Sequence, residues 1–337
     1  MNTRIPHITF EVTSVCNLKC RYCYNVWKMP GNNSFEQFNS YRQAKRTLKQ
    51  LFKIADVEHV TFTGGEPFLA ERFNELVLFT RMQKKSVAII TNGNVAKEDD
   101  YRQMLEIGVN LFEVPLHSPD AKSHEFMTNS PDSWQKSLES IRVLNKLKAN
   151  VVAVIVITKA NYRLVADTLQ FLKHEGVERV MLNRFNIGGQ GISEKENLWL
   201  SHNEMKQAYK MASETGKNLG LSLSSNVCTP MCVLNPADYP GIAFAFCSPD
   251  VRRRPLTLDI SGNLRFCNHS PTLLGNIFKD DLGKMLHSEK AQAWSLIKPD
   301  FCSDCQLYAR CMGGCRAASE QLKLPLNAVD PVVEILN

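Results

Sequence analysis

The chain has 337 residues, of which 44% are hydrophobic and 22% charged, and its formal net charge is +6 at pH 7. This composition is that of an ordinary globular protein, and the length suffices for one large domain and a smaller one. The modest charge, without a basic tract, disfavours nucleic acid as a partner. The sequence contains neither a run of about 18 apolar residues nor the apolar core of a signal peptide, so we expect a cytoplasmic protein without a membrane partner.

The first two-thirds of the chain alternates predicted strands and helices. The strand candidates are apolar and β-branched, as strands buried on both faces tend to be, and segments of helical periodicity lie between them. We expect helices to start at Ser34, Ser133 and Asn161, because these residue types cap helices. The predicted strands are 7–14, 59–65, 87–93, 110–118, 150–161 and 179–187, and the predicted helices are 34–55, 70–84, 97–107, 132–148, 162–174 and 202–218.

Repeated strand–helix units predict parallel strands joined by right-handed crossovers. Six units fit an open, incomplete barrel better than a closed barrel of eight, although periodicity alone also allows a doubly wound sheet. Polar or glycine-rich residues follow nearly every predicted strand, and the corresponding rim of a barrel enzyme carries its chemistry. The sequence therefore predicts an α/β fold, a partial (β/α)6 TIM-like barrel, over residues 1–220.

The character of the sequence changes near residue 220. Cysteine, proline and turn residues become dense, and helical patterns become short. We predict a β-hairpin over 256–270 and a short helix over 288–298. Residues 221–337 are therefore predicted to form a small cysteine-rich α+β domain that is held partly by metal.

The eleven cysteines fall into three groups, three at 16–23, four at 228–267 and four at 302–315. In a reducing compartment this clustering favours metal ligands over disulfides. Thiolates bind zinc or iron–sulfur clusters. The first group is one thiol short of a closed tetrahedral zinc site, so it either borrows a distant ligand or leaves an iron open.

The first group, Cys16-x3-Cys20-x-Tyr22-Cys23, resembles the signature of the radical S-adenosylmethionine (radical SAM) family. That family also carries a Gly-Gly-Glu-Pro segment after its second strand, and residues 64–67 match it here. The resemblance implies that the three cysteines hold a 4Fe–4S cluster whose open iron chelates SAM. Reductive cleavage of SAM would then give a 5′-deoxyadenosyl radical that abstracts hydrogen from a substrate.

The same resemblance assigns other residues to SAM. The two glycines would let the backbone approach the methionine part of SAM, and Glu66 would accept a hydrogen bond from its amine. Residues at the ends of the third to fifth strands would contact its ribose, carboxylate or adenine, with a helix-cap role for Asn161 as an equal alternative. His117, at the fourth strand end, is expected to be structural. The predicted cofactor-binding residues are Tyr22, Gly64, Gly65, Glu66, Pro67, Asn92, Ser118 and Asn161.

The later cysteines resemble the SPASM extension of radical SAM enzymes, which carries two auxiliary iron–sulfur clusters. In that family the two ligand sets interleave along the chain. The resemblance assigns Cys247, Cys267 and Cys315 to the first auxiliary cluster. Its fourth ligand would be an upstream cysteine, either Cys228 or Cys232.

The second auxiliary cluster would have three cysteines, and the downstream cysteine that usually completes it is absent from residues 316–337. The one cysteine left over, Cys228 or Cys232, could complete this cluster, act as a hydrogen-atom donor, or be inert and buried. Without it, the cluster would have an open iron or an oxygen ligand such as Asp304 or Asp330. The three assigned cysteines are Cys302, Cys305 and Cys311.

Enzymes with this extension mostly modify ribosomally made peptides or proteins. The resemblance therefore implies a peptide or protein maturase that catalyses oxidation, crosslinking or epimerisation, with electrons from a donor such as flavodoxin or ferredoxin. The alternatives are a sulfatase-type formylglycine maturase, oxidation of a small molecule or tetrapyrrole, and a non-catalytic zinc or iron–sulfur protein. The glycine-rich segment 184–192 is either a substrate-facing loop or an ordinary connector.

Overall fold

The computed structural model describes residues 3–31, 37–248 and 250–333. Short helices and strands alternate through most of this part of the chain. The strands are β1 (Thr3–Thr13), β2 (Ala55–Gly64), β3 (Ser86–Ile90), β4 (Leu111–Pro115), β5 (Val151–Ile157), β6 (Arg179–Arg184), β7 (Ser222–Ser225), β8 (Ile242–Phe244), β9 (Leu256–Asp259), β10 (Asn263–Arg265) and β11 (Leu273–Asn276). The helices are α1 (Tyr41–Ile54), α2 (Phe73–Met82), α3 (Glu98–Ile107), α4 (Ala121–Thr128), α5 (Ser133–Lys146), α6 (Val165–His174), α7 (Lys195–Leu198), α8 (His202–Leu219), α9 (Leu282–Leu286), α10 (Glu289–Leu296), α11 (Tyr308–Cys311) and α12 (Arg316–Gln321).

All eleven strands belong to one sheet, in the order β11-β10-β9-β1-β2-β3-β4-β5-β6-β7-β8. Strands β1 to β8 are parallel and follow chain order, and helices connect the first seven of them. A doubly wound sheet would reverse its strand order partway, whereas sequential order curls the sheet in one direction, as in a barrel wall. The predicted α/β partial barrel is therefore confirmed.

The core lies between the strands and the surrounding helices. Ile8 and Phe10 of β1 and Phe62 of β2 belong to the same buried cluster as Leu48 of α1 and Leu76 of α2. Because successive side chains of a strand point to opposite faces, the intervening residues turn towards the barrel interior. The strand ends and this inner face are therefore the parts of the barrel available for chemistry.

The predicted helix starts were less accurate than the helices themselves. Helix α1 begins at Tyr41, where the Ser40 hydroxyl accepts a hydrogen bond from a backbone N–H of the first turn. Ser34 lies outside the described residues. The prediction that Ser133 caps α5 is wrong: it is the first residue of that helix, and its hydroxyl is bonded to Thr128 Oγ1 at 2.6 Å.

The C-terminal region continues the barrel sheet. Strand β9 pairs in parallel with β1. Strand β10 pairs antiparallel with β9, as the predicted hairpin over 256–270 requires, and also antiparallel with β11. The predicted domain boundary after residue 220 falls between α8 and β7, and one sheet runs across it, so the division into two domains stays a prediction. Among the helices of the described part of the chain, none combines the length and the hydropathy that a membrane span requires.

Candidate active site

The first cysteine group lies on the loop that follows β1, at the carboxyl end of the parallel strands. Burial raises the pKa of Cys20 to about 12, and the adjacent thiols of Cys23 and Cys16 act in the same direction, so the three side chains are close neighbours. Although burial lowers it, the pKa of Lys28 is raised overall, because its ammonium group faces all three thiols. A positive charge beside thiols favours the thiolate form that binds metal.

Gly64 and Gly65 lie directly against the backbone of this cysteine loop. Gly65 N donates to Thr13 O at 2.7 Å, and Glu66 N donates to Val15 O at 2.8 Å. A Cβ at either glycine would lie 2.1 Å from the carbonyl oxygen it faces, Thr13 O or Val15 O. In this structure the glycines thus allow the end of β2 to approach the cysteine loop. Their expected approach to the methionine part of SAM stays a prediction.

Glu66 is fully buried at the end of β2 and joins it to the end of β3. Its Oε1 accepts hydrogen bonds from Phe68 N at 3.2 Å and Thr91 Oγ1 at 2.7 Å, and its Oε2 accepts from Asn92 N at 2.7 Å. Burial raises the pKa of Glu66 to about 7, against the opposite effect of these bonds. The turn that begins at Pro67 is capped by this carboxylate. A carboxylate has about four acceptor positions, so one remains for the predicted bond from the SAM amine.

Two other predicted cofactor-binding residues contact the cysteine loop. Asn92 Nδ2 donates to Asn17 Oδ1 at 2.8 Å and to Cys16 Sγ at 3.8 Å. The Tyr22 ring packs edge-on against the buried His117 ring, with 4.7 Å between centroids. Both residues therefore shape the surroundings of the three thiols, and their contact with SAM stays a prediction.

Ser118 and Asn161 are engaged in local hydrogen bonds. Ser118 Oγ donates to the Asp120 carboxylate at 2.6 Å and accepts from Asp120 N at 3.0 Å. Asn161 Oδ1 accepts from Thr158 N at 2.7 Å, and its Nδ2 donates to two backbone carbonyls at 2.8 and 2.9 Å. Asn161 is the N-cap residue of the short helical turn Tyr162–Leu164 before α6, so the predicted cap is confirmed in position, but its side chain makes no capping hydrogen bond. These bonds close the loops after β4 and β5, and a contact with cofactor there stays a prediction.

The structure places four later cysteines in one group: Cys228, Cys247, Cys267 and Cys315. A hydrogen bond with Cys247 and burial raise the pKa of Cys228 well above its ordinary value, and the thiols of Cys315 and Cys267 add to this effect. Asn186 Nδ2 also donates to Cys315 Sγ at 3.2 Å. The structure thus groups Cys228, rather than Cys232, with these three thiols, and its role as a cluster ligand stays a prediction.

Positive charge surrounds this first auxiliary group. The hydrogen bond with Cys228 lowers the pKa of Cys247, and the guanidinium groups of Arg254 and Arg316 lower it further. Both arginines are at most 5% exposed. Because a buried cation is costly without an anionic partner, their presence favours thiolates or an anionic cluster at this place.

The remaining four cysteines form a second group, and it includes Cys232. Burial raises the pKa of Cys302 to about 11, and the thiols of Cys311, Cys305 and Cys232 act in the same direction. Burial also raises the pKa of Cys232, and the nearby thiols of Cys311 and Cys305 raise it further. Of the options for the spare cysteine, the structure favours the one in which Cys232 completes the second auxiliary set.

The two aspartates considered as oxygen ligands differ in their surroundings. Asp330 is buried, and its oxygens accept from Cys315 N at 2.7 Å and Val332 N at 3.0 Å and form an ion pair with Arg184. Asp304 is exposed at the surface. Because Cys232 lies with the second group, a fourth thiol is available there, and an oxygen ligand from either aspartate stays a prediction.

The donor set of each group bears on the kind of metal. The grouped side chains are all thiols, and thiolates are ligands of zinc and of iron–sulfur clusters. Within residues 3–31, 37–248 and 250–333, no three His, Cys, Asp or Glu side chains form a site for a single metal ion. The thiol groups are chemically compatible with the predicted iron–sulfur clusters.

Sequence reasoning missed several residues that shape the site. Thr91, at the end of β3, binds Glu66, and its place after an apolar strand was an available signal. Lys28 and Gln321 had no such signal, because their partners are set by the tertiary fold. The glycine-rich segment 184–192 is largely buried and packs against the cysteine loop, and whether it faces a substrate stays a prediction.

Comparison with known proteins identifies the class that this fold and site define. The model of the radical SAM superfamily matches residues 10–172, and that of the SPASM iron–sulfur cluster-binding domain matches residues 247–306. The chain thus carries a radical SAM domain and a SPASM domain. The two domains imply 4Fe–4S clusters, as the sequence motifs predicted.

Curated relatives include proteins of peptide and tetrapyrrole metabolism. The subtilosin biosynthesis protein AlbA of Bacillus subtilis is 27% identical over 193 residues, 55% of this chain and 40% of AlbA. PqqA peptide cyclase of Granulibacter bethesdensis is 21% identical over 340 residues, 95% of this chain and 85% of the cyclase. Fe-coproporphyrin III synthase of Methanosarcina barkeri is 24% identical over 214 residues, 64% of this chain and 52% of the synthase. The chain thus covers less than two thirds of the length of two of these relatives.

Solved structures share the fold over nearly the whole chain. Tagged anSMEcpe with bound AdoMet (SAM) has a TM-score of 0.75 at 16% identity, covering 99% of this chain and 91% of that one. Streptococcus suis SuiB bound to precursor peptide SuiA has a TM-score of 0.74 at 15% identity, covering 98% and 76%. At such identities the likeness establishes the partial-barrel fold alone.

Proposed function

We propose that the protein is a radical SAM/SPASM maturase of ribosomally made peptides or proteins. It cleaves SAM reductively to a 5′-deoxyadenosyl radical, which abstracts hydrogen from the substrate and leads to oxidation, crosslinking or epimerisation. The observation that carries this proposal is the sorting of all eleven cysteines into groups of three, four and four. A three-thiol group leaves one iron of a cubane without a protein ligand, and this is where SAM would bind.

The residues of the first group would serve the SAM-binding cluster in distinct ways. Cys16, Cys20 and Cys23 would hold it, and the bound cluster and SAM would together supply the electron and the radical. Lys28 offsets the negative charge of the thiolates. Glu66 would orient the SAM amine through its remaining acceptor position, while its bonds to the end of β3 hold it in place. Glu66 is fully buried and the three thiols are partly buried, which would limit the access of water to a reactive radical.

The two four-thiol groups would hold the auxiliary clusters. Cys228, Cys247, Cys267 and Cys315 would bind the first, where buried arginines offset the charge. The second would be bound by the set that Cys232 completes. In this arrangement no cysteine is left as a free hydrogen-atom donor, so neither Cys228 nor Cys232 is proposed for that role.

A peptide substrate is favoured by the relatives. PqqA peptide cyclase matches almost all of this chain, and the SuiB and anSMEcpe structures include complexes with peptides. The formylglycine-type maturation that the sequence resemblance implies stays among the candidate reactions. A tetrapyrrole substrate is the second candidate, because Fe-coproporphyrin III synthase and pre-heme d1 synthase also match. Mass spectrometry of candidate peptides and tetrapyrroles after incubation with SAM and reductant would separate the two.

Metal analysis tests the proposed function directly. After anaerobic reconstitution we expect about twelve irons and as many sulfides per chain, since three cubane clusters require them. The same preparation should release 5′-deoxyadenosine from SAM when dithionite is added. Stoichiometric zinc, together with no SAM cleavage, would contradict the proposal and support the non-catalytic alternative.

Paired cysteine variants test the assignment of the auxiliary sets. Cys232→Ala and Cys305→Ala should each remove the second auxiliary cluster and leave about eight irons per chain, and the double variant should lose no more. Combining Cys228→Ala with Cys305→Ala should instead leave about four irons, because it removes one ligand from each set. If Cys232→Ala and Cys305→Ala act additively on iron content, the two residues belong to different clusters.

We propose that the electron comes from an acidic carrier protein such as flavodoxin or ferredoxin, in the cytoplasm. A surface groove of about 770 Å³ runs along the outer face of α1, and six of the nine residues that line it are basic. Opposite charge on a partner would steer it to this face. The basic residues are Arg42, Lys45, Arg46, Lys49, Lys53 and Arg72.

Charge reversal tests this carrier interface. Arg42→Glu combined with Lys49→Glu should slow SAM cleavage driven by reduced flavodoxin about tenfold at low ionic strength, because steering is lost. Both side chains are exposed. Cleavage driven by dithionite should not change, and Lys206→Glu, an exposed position on α8, is the control. An equal loss with both reductants would show that the substitutions damage the enzyme rather than docking.

A further inference from the structure

Helix α12 links the two ends of the candidate active site. It begins immediately after Cys315, of the first auxiliary group, and ends at Gln321, which is 1% exposed. Ala318 in the same helix belongs to a buried cluster against which Tyr22 and Cys315 pack. One six-residue helix therefore contacts both the SAM-cluster loop and the first auxiliary group.

The Gln321 amide bonds to three separate segments of the chain. Its Nε2 donates to Tyr24 O at 2.9 Å and to His269 O at 2.7 Å, and its Oε1 accepts from Gly189 N at 2.7 Å. Both amide hydrogens are thus used on carbonyls and the oxygen on an N–H. All three bonds depend on the position of one buried side chain.

These three segments carry the proposed cluster ligands or lie against them. Tyr24 directly follows Cys23, and His269 is two residues after Cys267. A Cβ on Gly189 would lie 2.5 Å from Cys23 O, so this segment packs against the same cysteine. The Gln321 side chain therefore bonds directly to the backbone beside Cys23 and to the backbone beside Cys267.

Two neighbours hold the Gln321 amide in place. A Cβ on Gly188 would lie 2.6 Å from Gln321 Nε2, so the glycine leaves room for the amide on one side. On the other side, the Glu320 carboxylate accepts from Ser270 Oγ at 2.6 Å and Thr272 Oγ1 at 2.7 Å, which ties α12 to the segment after Cys267. The amide has little freedom to adopt another arrangement.

We propose that Gln321 is a positioning residue that fixes the backbone at Cys23–Tyr24 against that at Cys267–His269. It would thereby set the distance and orientation between the SAM-binding cluster and the first auxiliary cluster. The inference rests on the proposed function for the identity of these clusters. The contacts themselves are independent of it, so the two can be tested separately.

Hydrogen–deuterium exchange of the reconstituted protein tests this role. In Gln321→Leu, amides in 21–25, 187–191 and 267–270 should exchange about tenfold faster or more, because each lost bond leaves a buried polar group unpaired. Global stability, measured by thermal unfolding, should fall by less than the local stability of these three segments. Gln292→Leu is the matched control, since Gln292 lies in α10 and its Nε2 bonds only to the nearby His287 O.

A second variant covers the case in which Gln321→Leu fails to fold. Gly188→Ala keeps the glutamine but places a methyl group where its amide lies, and the extended backbone at this position accepts alanine. It should accelerate exchange in the same three segments, and the double variant should add little, as expected for one shared interaction. Unchanged exchange in the folded variants, or fully additive effects, would overturn the proposal.

A spectroscopic measurement addresses the distance itself. The magnetic interaction between the reduced SAM-binding and first auxiliary clusters, measured by pulsed electron paramagnetic resonance, should change or broaden in Gln321→Leu and Gly188→Ala but not in Gln292→Leu. An unchanged interaction would contradict a positioning role. If wild-type protein fails to cleave SAM, the proposed function fails, whereas the exchange result still reports on Gln321.

Discussion

Replacement of Cys16, Cys20 and Cys23 together by alanine is expected to abolish reductive cleavage of SAM. The three thiols share one loop, and in the proposed assignment they would leave one iron open for SAM, so without them SAM would have no iron to bind. Iron should fall from about twelve to about eight per chain, because the two four-thiol groups remain. The measurements are 5′-deoxyadenosine formation by chromatography and iron content of the same preparation.

The matched control for this variant is Cys305→Ala, which should lose the same amount of iron from the second auxiliary group. Because it leaves the SAM-binding loop intact, it should retain SAM binding in an equilibrium assay, whereas the triple variant should not. Formation of 5′-deoxyadenosine by the triple variant would refute the assignment of these cysteines.

A methyl group at residue 65 should strongly destabilise the fold and the SAM-binding site. In Gly65→Ala the Cβ would lie 2.1 Å from Val15 O, and the cysteine loop must move away to relieve the contact. We expect the free energy of unfolding to fall by about 3–5 kcal/mol, at the upper end for single substitutions. Thermal unfolding and the iron content of the SAM-binding site are the measurements.

Gly283→Ala is the control for this substitution. Its nearest atom would be an oxygen of the flexible Asp281 carboxylate at 3.2 Å, so the methyl group can be accommodated. This variant should keep its stability and all its iron. A Gly65→Ala protein with wild-type stability and a full SAM-binding site would show that the loop does not depend on the close approach of the two backbones.

The first six strands could be predicted because each is a short apolar run, a pattern that indicates a strand without knowledge of the strands it pairs with. Strand β7, Ser222–Ser225, is mostly polar, and β8 has three residues. Strand β7 pairs with β6, and β8 pairs with β7, so their extended state depends on neighbouring strands and no local sequence pattern predicts it. The predicted start of α1 was Ser34, whereas the helix begins at Tyr41 and is capped by Ser40.

The residues of the candidate site also fall into those that the sequence predicted and those that it did not. Spacing identified the thiols of Cys16, Cys20 and Cys23, because ligands of one cluster must be close along this loop. Spacing left open whether Cys228 or Cys232 was the spare cysteine, since the two differ only in which distant thiols they meet. The packing of Gly65 against the cysteine loop was also invisible, because nothing local shows what a glycine faces.

The pairing of β9 with β1 has a consequence for how the protein folds. Strand β1 leads directly into the SAM-binding loop, and without β9 it would be the exposed edge of the sheet, open to pairing with other chains. The buried ion pair between Glu11 of β1 and Arg265 of β10 reinforces this junction. Residues 1–220 on their own would present an aggregation-prone edge and a carboxylate without its partner. The cysteine-rich region thus protects the first strand. Strands β9 and β10 must be synthesised before β1 and the cysteine loop that follows it are stabilised in this way.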